Sequence, residues 1–190
     1  MNLRVARSRA AVVEATRSLL RESGFRGTTI EAISELSGVA KTTIYRNWKD
    51  RNELLLDAFS LEAESFVFPA TDDLRADLLS GLQSLNRALQ TSEWVTLMPA
   101  MIEASERDPD FLSLSRAFVD SRRKPLKDRL QLAVKRQEVA AETDVELLVS
   151  VLAGPLFYRR LVARQSMKRV SVEDLVDLVI DGVSGRSSSG

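Results

Sequence analysis

Cysteine and histidine are both absent from this sequence of 190 residues. Without cysteine there is no disulfide framework, no thiolate nucleophile and no cysteine-based zinc site. Without histidine the commonest metal ligand and general base is missing, which excludes the Ser-His-Asp, Cys-His and H-E-x-x-H arrangements. We therefore predict no metal, no cofactor and no catalytic residues, and a chain without cysteine fits a reducing cytoplasm.

Long apolar runs are also scarce. The first residues carry Arg4, Arg7 and Arg9 but no unbroken apolar stretch, so they do not form a secretory signal. The longest apolar region, residues 145–158, includes a glutamate and a proline and is shorter than the roughly 20 apolar residues of a membrane span. We expect a soluble, cytoplasmic protein with no membrane partner.

Neither sign of charge dominates, because 27 Lys and Arg residues balance 27 Asp and Glu residues. The balance hides an asymmetry: residues 1–50 contain nine basic and five acidic residues, which leaves 18 and 22 for the rest. A basic end on an acidic body indicates that this end meets a polyanion, although so small an excess also arises by chance.

Apolar residues recur every three or four positions almost throughout, and no stretch sustains the alternation of a strand. This pattern predicts an all-α fold. The first helix should end at Gly24, in a left-handed conformation, with Phe25 folded back onto Leu20. Thr28 and Glu31 should form the capping box of a second helix.

The second helix should bury Ile30, Ile33 and Leu36 and end at a turn formed by Gly38-Val39, after which a third helix runs over 40–48. Further helices are predicted over 50–66 (capped by Asp50 with Glu53), 73–90, 110–139 (kinked or split at Pro125) and 172–183. Two more should begin at Ser92 or Glu93 and run to 107, and at Thr143 or Asp144 and run to 164 with a kink near Gly154-Pro155. The tail, 185–190, has nothing to bury and is expected to be disordered.

Two short helices joined by a Gly-Val turn are typical of a helix-turn-helix, whose second helix lies in the major groove of DNA. On a helix that begins near Ala40, Ala40, Ile44 and part of Trp48 share one side and should pack inward. The other side presents cations and hydroxyls suited to phosphates and base edges: Lys41, Thr42, Tyr45, Arg46 and Lys49.

A solvated helix face is the plainer explanation of the same residues. On that view Lys41 and Arg46 only add solubility, but a solvated face has no need of Tyr45 and Trp48. Trp48 is better explained as an apolar brace against the small core of this helical bundle.

Residues 9–55 resemble the N-terminal domain of the TetR family of bacterial transcriptional repressors. The shared features are Gly24-Phe25, Thr28-Thr29-Ile30, the Gly38-Val39 turn, Lys41, Thr43, Ile44, Tyr45, an aromatic residue at 48 and Glu53-Leu54-Leu55. The remainder resembles the family in helical architecture and in the segment LAGPLFYRRLV. The resemblance implies a DNA-binding transcriptional regulator, a repressor that binds a palindromic operator as a homodimer.

The DNA contacts implied by the resemblance are Thr29, Lys41, Thr42, Thr43, Tyr45, Arg46, Asn47 and Lys49. The family often has glycine where Thr42 stands, histidine where Asn47 stands and lysine where Arg51 stands, so operator preference does not transfer from a relative. Asparagine, for example, can bond adenine bidentately. Arg4, Arg7 and Arg9 either form an arm that reaches the DNA or are a frayed cationic terminus.

The last two helices carry more apolar side chains than a small monomer should expose: Leu147, Leu148, Val151, Leu152, Leu156, Val162, Leu175, Val176, Leu178 and Val179. In the TetR family the corresponding helices pair with those of a second copy, so the resemblance implies a homodimer through them. Packing within one monomer would account for the same residues.

The middle helices carry methionine and aromatic residues that more often form a core than a ligand site. The resemblance nevertheless implies an effector pocket, mainly apolar, with Tyr158, Gln83, Ser105 or Arg122 available to orient a polar group. Its predicted lining is Trp94, Leu97, Met98, Met101, Phe118, Arg122, Phe157 and Tyr158. We expect a small hydrophobic or amphipathic effector that moves the recognition helices through the fourth helix.

The resulting domain prediction is a helix-turn-helix domain over 1–49, a helical ligand-binding and dimerisation domain over 50–184, and a tail over 185–190. An enzyme based on paired carboxylates is a less favoured alternative, with candidate pairs Asp72-Asp73, Glu103 with Glu106, and Asp108 with Asp110. A ligand-independent architectural DNA-binding protein is the other alternative.

Overall fold

The computed structural model describes residues 3–60 and 67–184, and within them it contains helices and no strand. The all-α prediction is therefore confirmed. The helices are α1 (Leu3–Gly27), α2 (Ile30–Ser37), α3 (Lys41–Asn47), α4 (Arg51–Ser60), α5 (Leu74–Thr91), α6 (Trp94–Arg107), α7 (Pro109–Lys135), α8 (Val145–Phe157) and α9 (Val172–Ser184).

The chain forms two compact units. One unit comprises residues 1–63 and 92–119, and the other comprises residues 64–91 and 120–190. Helix α7 contributes its first part to the first unit and its second part to the second. Packing contacts define these units and do not report which residues bind DNA or an effector. The functional division into 1–49 and 50–184 therefore stays a prediction.

The helical backbone of α1 is broken at Gly24, whose φ of +66° and ψ of −170° are not helical. The predicted break and the positive φ are confirmed, and Phe25 and Leu20 belong to one buried cluster. The predicted capping box is wrong by one residue. Thr28 is buried and its hydroxyl donates to the Gly24 carbonyl at 2.8 Å, so Thr29 caps α2 by accepting from the amide of Ala32 at 3.1 Å.

The turn between α2 and α3 forms as predicted, with Gly38 in the left-handed region at φ +66° and ψ +14°. The Ser34 hydroxyl donates to the carbonyl of Val39 at 2.8 Å, and the amide of Val39 donates to the Ser37 hydroxyl at 3.2 Å. Two hydrogen bonds between side chains and the backbone therefore hold the turn that sets the angle of α3.

Leu36 was predicted to face inward, but it is 54% exposed. Helix α2 has only eight residues, and Ile30 and Ile33 already occupy its buried side. The predicted cap of α4 is confirmed: the amide of Glu53 donates to Asp50 at 2.9 Å, and the Glu53 carboxylate accepts from the amide of Lys49 at 2.6 Å.

Two buried clusters hold the first unit together. One cluster joins α1, α2, α3 and α4: Val12, Val13, Ile30, Ile33, Ile44, Trp48, Leu54 and Ala58. The other joins α1, α4, α6 and α7: Leu20, Phe25, Leu55, Phe59, Leu97, Ala100, Met101, Ala104 and Phe111. Helix α4 supplies residues to both, so its position is fixed from two sides. Ala63 and Phe66, which were predicted to continue its apolar face, lie outside the described residues.

In the second unit, α7 continues as one helix through Pro125, so the predicted alternative of a split is wrong. Helix α8 is capped by Asp144, which accepts from the amide of Leu147 at 3.0 Å, and its α-helical part ends at Phe157. A π-helical turn, Tyr158–Val162, follows. Because Pro155 has no N–H to donate, the regular hydrogen-bond ladder is interrupted one turn before this widening.

A buried ion-pair network also stabilises the second unit. The Arg129 guanidinium donates to Asp77 at 2.6 Å and to Glu138 at 2.8 Å, and the side chains of Arg129 and Asp77 are almost wholly buried. Asp77 also accepts from the amide and the hydroxyl of Thr71. The network thus ties α5, α7 and the segments beside them together.

Candidate DNA-binding surface

Helix α3 has one buried side and one exposed side. Ile44 is fully buried and Trp48 is 3% exposed, which confirms that these two residues pack inward. Ala40 was predicted to pack with them, but it is exposed, because it precedes the first helical turn in an extended conformation (φ −57°, ψ +140°). The residues that seat the helix are therefore Ile44 and Trp48, supported by the half-buried Val39.

The structure places most of the predicted DNA contacts on the exposed side of this helix and at its ends. Tyr45 is 54% exposed, and the other exposed members of the set are Thr29, Lys41, Thr42, Arg46 and Lys49. Thr43 and Asn47 are half-buried, and the Asn47 amide nitrogen donates to the Thr43 carbonyl at 2.7 Å. A bidentate bond to adenine would need the side-chain amide nitrogen of Asn47 as a donor, and in the free protein that nitrogen already donates within its own helix.

Thr29 and Lys41 each have a partner in the free protein. The Thr29 hydroxyl caps α2, as described above, so its oxygen is directed at that helix's own amides. The Lys41 ammonium donates to the Glu31 carboxylate at 2.6 Å, and both side chains are exposed. The Glu31 pKa lies below its ordinary value, chiefly because Lys41 donates this hydrogen bond, so the carboxylate is ionised at neutral pH.

Trp48 braces α3 against α4 through a polar contact that sequence reasoning missed. Its indole N–H donates to the carboxylate of Asp57 at 2.9 Å. Arg9 on α1 donates to the same oxygen at 2.7 Å and lies over the Trp48 ring, 5.8 Å from its centroid. We call Arg9, Trp48 and Asp57 the α1–α3–α4 clamp. In the sequence Asp57 stands out only as an acidic residue next to the apolar positions of α4, and nothing there links it to Trp48.

This clamp bears on the predicted N-terminal arm. Arg9 is directed at the protein, where its charge is balanced by Asp57, while Arg7 is exposed. The side chain of Arg4 lies outside the part of the chain that the structure describes. The described geometry thus gives Arg9 a structural role that neither reading of the arginines anticipated.

Arg51, at the first turn of α4, also faces the protein. Its guanidinium donates to the carbonyls of Thr28, at 2.6 Å, and of Phe25, and it lies over the Phe25 ring at 4.2 Å. Burial lowers the Arg51 pKa from its ordinary value, and the charge of Asp108 opposes that effect. Asp108 also accepts from the Asn52 side chain at 3.1 Å. Arg51 therefore fixes the start of α4 to the last turn of α1 and to Thr28 just after it.

Five of the predicted effector contacts lie in the first unit. Leu97 and Met101 are buried in its second cluster, Met98 and Phe118 pack against that cluster, and Trp94 is half-buried. The Ser105 hydroxyl donates to the carbonyl of Met101 and shares a hydrogen bond with Ser115, each at 2.9 Å. Core packing thus accounts for most of these five residues. That they bind an effector stays a prediction.

The other three lie in the second unit. Arg122 and Phe157 are half-buried, Tyr158 is 61% exposed, and burial lowers the Arg122 pKa. Gln83, which was expected to orient a polar effector group, donates to Glu173 at 2.9 Å.

An exposed apolar stripe runs along α8 and the π-helical turn and continues on α9. Its members recur at helical spacing and are Leu147, Val151, Tyr158, Val162 and Leu178. Gly154 and Gly182 lie on the same two helices, are exposed, and have open space where a Cβ would point. The remaining residues that were predicted to pair with a second copy are buried inside the unit, or half-buried in the case of Leu175. The last two helices thus divide their apolar residues between a core and a surface.

The carboxylates that suggested an enzyme have structural partners. Asp108 accepts from the amides of Asp110 and Phe111 at 3.0 Å, which caps α7. Asp73 caps α5 through the amide of Ala76 at 2.9 Å. The Arg107 guanidinium pairs with Glu103 at 3.2 Å, and Arg136 lies 3.4 Å from Asp72. These contacts give structural roles to the carboxylates of Asp72, Asp73, Glu103 and Asp108.

Within residues 3–60 and 67–184, no helix combines the length and apolar character that a membrane crossing requires.

Comparison with known proteins accounts for both parts of the chain. Residues 12–58 match the family described as "Bacterial regulatory proteins, tetR family", and residues 68–179 match the one described as "Tetracyclin repressor-like, C-terminal domain". The second match alone spans more than half of the chain. The DNA-binding transcriptional repressor TetR of Mycobacteroides abscessus is 32% identical over 157 residues, which are 80% of this chain and 81% of that protein.

Solved structures agree with this assignment. The TetR family transcription regulator SCO0332 is 31% identical, with a TM-score of 0.68 over 93% of this chain and 98% of that chain. The transcriptional regulator FadR of Bacillus subtilis, solved in complex with stearoyl-CoA, shares the fold with a TM-score of 0.68 at 16% identity, over 93% of this chain and 98% of that one. The chain belongs to the TetR family of bacterial regulatory proteins and is a DNA-binding transcriptional regulator.

Proposed function

We propose that this protein is a cytoplasmic repressor that binds a palindromic operator as a homodimer and is released from it by a small hydrophobic or amphipathic effector. In this proposal residues 1–49 bind DNA, and residues 50–184 bind the effector and form the dimer. The observation that carries the proposal is the two-sided character of α3, with Ile44 and Trp48 buried and Lys41, Tyr45 and Arg46 exposed.

The exposed side of α3 has the chemistry that a duplex requires. Arg46 and Lys49 supply cations, and Thr42 and Tyr45 supply hydroxyl groups, for phosphate oxygens or base edges. The clamp residue Asp57 and the buried cluster that contains Ile44 and Trp48 hold the helix at a defined angle, so these groups reach the groove from a rigid support. Binding by such a support orders few side chains, which favours affinity.

Homodimer formation is supported by the apolar stripe on α8 and α9. Leu178 is 72% exposed and Val162 is 69% exposed, which is unusual for apolar side chains spaced to form one face. Gly154 and Gly182 on these helices would let a second pair of helices approach closely. Two copies of a helix-turn-helix then read two half-sites about one helical turn apart, which supplies the affinity that one recognition helix lacks.

An apolar or amphipathic effector is supported by the composition of the predicted lining. Met98, Phe118 and Phe157 are only partly buried, and methionine and aromatic side chains adapt readily to an apolar guest. Arg122 adds a partly desolvated cation for an acidic group. The binding of stearoyl-CoA by B. subtilis FadR illustrates that this fold admits an amphipathic molecule.

In vitro selection of bound duplexes from a random pool tests the DNA part of the proposal. We expect enrichment of one palindrome, bound by a dimer in multi-angle light scattering. A panel of fatty acids, acyl-CoA esters and small aromatic compounds is then screened for release of that duplex. Enrichment of no sequence would refute operator binding, enrichment of a motif without two-fold symmetry would refute the dimer arrangement, and a panel without any releasing compound would count against the effector class.

A further inference from the structure

One carboxylate lies among the cations of the proposed DNA-binding surface. Glu31, in the first turn of α2, has a side chain that is 69% exposed, and its Oε1 lies 2.6 Å from the Nζ of Lys41 at the start of α3. Lys41 begins the recognition helix, where side chains of such helices reach base edges. The pair therefore lies where the groove floor of a bound duplex is expected.

The free protein gives this carboxylate only a small structural role. Glu31 lies in the first turn of α2, where a negative charge is favoured by the helix dipole, and it pairs with Lys41. Exposed interactions of this kind each add only about 1 kcal/mol or less to stability. Toward a duplex, Glu31 is a disadvantage: the phosphates repel it, and while it holds Lys41 that ammonium is not available to replace a counterion. A carboxylate at this position favours binding only where the DNA presents a hydrogen-bond donor to it.

The major-groove edge of a G·C pair presents such a donor next to acceptors. Guanine offers N7 and O6 as acceptors and cytosine offers its N4 amino group as a donor. N4 and O6 are joined by a Watson–Crick hydrogen bond of about 2.9 Å, so a suitable ligand needs a donor and an acceptor at close to that separation. The ammonium of Lys41 and the carboxylate of Glu31, 2.6 Å apart, meet this requirement.

An A·T pair fits the same ligand less well. Its amino group, N6 of adenine, lies between two acceptors, adenine N7 and thymine O4. A carboxylate directed at N6 therefore faces an acceptor on each side, whereas at cytosine N4 it has an acceptor on one side only. The ammonium in turn has two adjacent acceptors on guanine.

We propose that Glu31 and Lys41 act together to read one G·C base pair in each operator half-site, with Lys41 donating to guanine and Glu31 accepting from cytosine N4. This inference rests on the proposed function. On an A·T pair Glu31 meets an acceptor on each side of the amino group, and away from an amino group it faces acceptors or phosphate oxygens. Glu31 therefore makes the protein more selective rather than more tightly bound.

Selection from random duplexes by three forms of the full chain tests the proposal. The variants are Glu31→Gln, which keeps the size of the side chain, and Glu35→Gln, which removes the same charge one turn further along α2 from a position that is also exposed. We expect wild type and Glu35→Gln to enrich the same motif. Glu31→Gln should enrich that motif with a single G·C position per half-site lost.

Titrations then give the size of the effect. Wild type should bind the selected duplex about five- to a hundredfold more tightly than a duplex with that one pair changed to A·T in a single half-site, and Glu31→Gln should lose most of this preference. Lys41→Met should lose preference at the same base pair, and the double variant should lose no more than either single variant.

Three results would overturn the inference while leaving operator binding intact. They are an unchanged motif with Glu31→Gln, equal effects of Glu31→Gln and Glu35→Gln, and loss of preference at different base pairs in Glu31→Gln and Lys41→Met. Circular dichroism of each variant should match wild type, because both side chains are exposed. If wild type itself enriches no motif, the proposed function fails first and this inference fails with it.

Discussion

The α1–α3–α4 clamp allows a stability effect to be worked out in advance. In Asp57→Ala, the indole N–H of Trp48 loses its acceptor at 2.9 Å while Trp48 stays 3% exposed. A buried donor without a partner costs about 1–3 kcal/mol. The ion pair with Arg9 is also lost, but the Arg9 side chain is half exposed and such a pair contributes about 0.5 kcal/mol or less. We expect Asp57→Ala to lower the free energy of unfolding by about 2 kcal/mol.

Urea unfolding followed by tryptophan fluorescence measures this change. The chain has two tryptophans, so Trp94→Phe provides a background in which Trp48 alone reports on the clamp. Asp57→Asn keeps an oxygen for the indole and should cost less than half as much, and Arg9→Ala should cost about 0.5 kcal/mol or less. The reasoning would be refuted if Asp57→Ala unfolded at the same urea concentration as its background, or if Arg9→Ala cost as much as Asp57→Ala.

Two further predictions concern the second unit. Asp77→Asn should cost about 3–5 kcal/mol at pH 7 in calorimetry or urea unfolding, because it leaves the buried Arg129 without its closest carboxylate. Burial favours the neutral form of Asp77, but hydrogen bonds from Thr71 and Arg129 outweigh it and hold the Asp77 pKa below its ordinary value. The stability that Asp77 contributes is therefore present above about pH 3.9 and is lost as the pH falls through the lower folded pKa. An Asp77→Asn variant whose stability depends on acid pH as that of wild type does would contradict this. Leu178→Glu should weaken dimer formation at least about tenfold in sedimentation equilibrium. Ile102→Glu, which alters another exposed apolar residue, on α6, should leave dimer formation unchanged. Equal effects of the two variants would show that the stripe on α8 and α9 is not the dimer interface.

The elements that sequence reasoning predicted correctly depend on neighbouring residues. Gly24 and Gly38 adopt the positive φ values expected of them. Each interrupts the regular helical backbone a few residues after the last apolar residue of the helix before it, and such a position is visible in the sequence. The cap formed by Asp50 and Glu53 is likewise set by a spacing of three residues. Local chemistry of this kind is visible in a short stretch of sequence.

The contacts that were missed join distant positions or depend on burial. Arg9 meets Asp57 across 48 positions, and no local pattern relates the two. The capping error at Thr28 arose because Thr28 and Thr29 are chemically alike, and only burial of the first directs its hydroxyl back to Gly24. The pairing of Glu31 with Lys41 likewise needed the angle between α2 and α3, which a sequence does not state.

The most direct test of the central claim, that the exposed side of α3 binds a specific DNA sequence, is a fluorescence-anisotropy titration at physiological salt. Wild type is titrated with its selected duplex and with a shuffled duplex, and Tyr45→Phe is titrated with the selected one. We predict a preference of at least about a thousandfold for the selected duplex. Loss of the Tyr45 hydroxyl should weaken that binding about tenfold with the fold intact, because Tyr45 is exposed. Equal affinity for the two duplexes, together with wild-type binding by Tyr45→Phe, would contradict the claim.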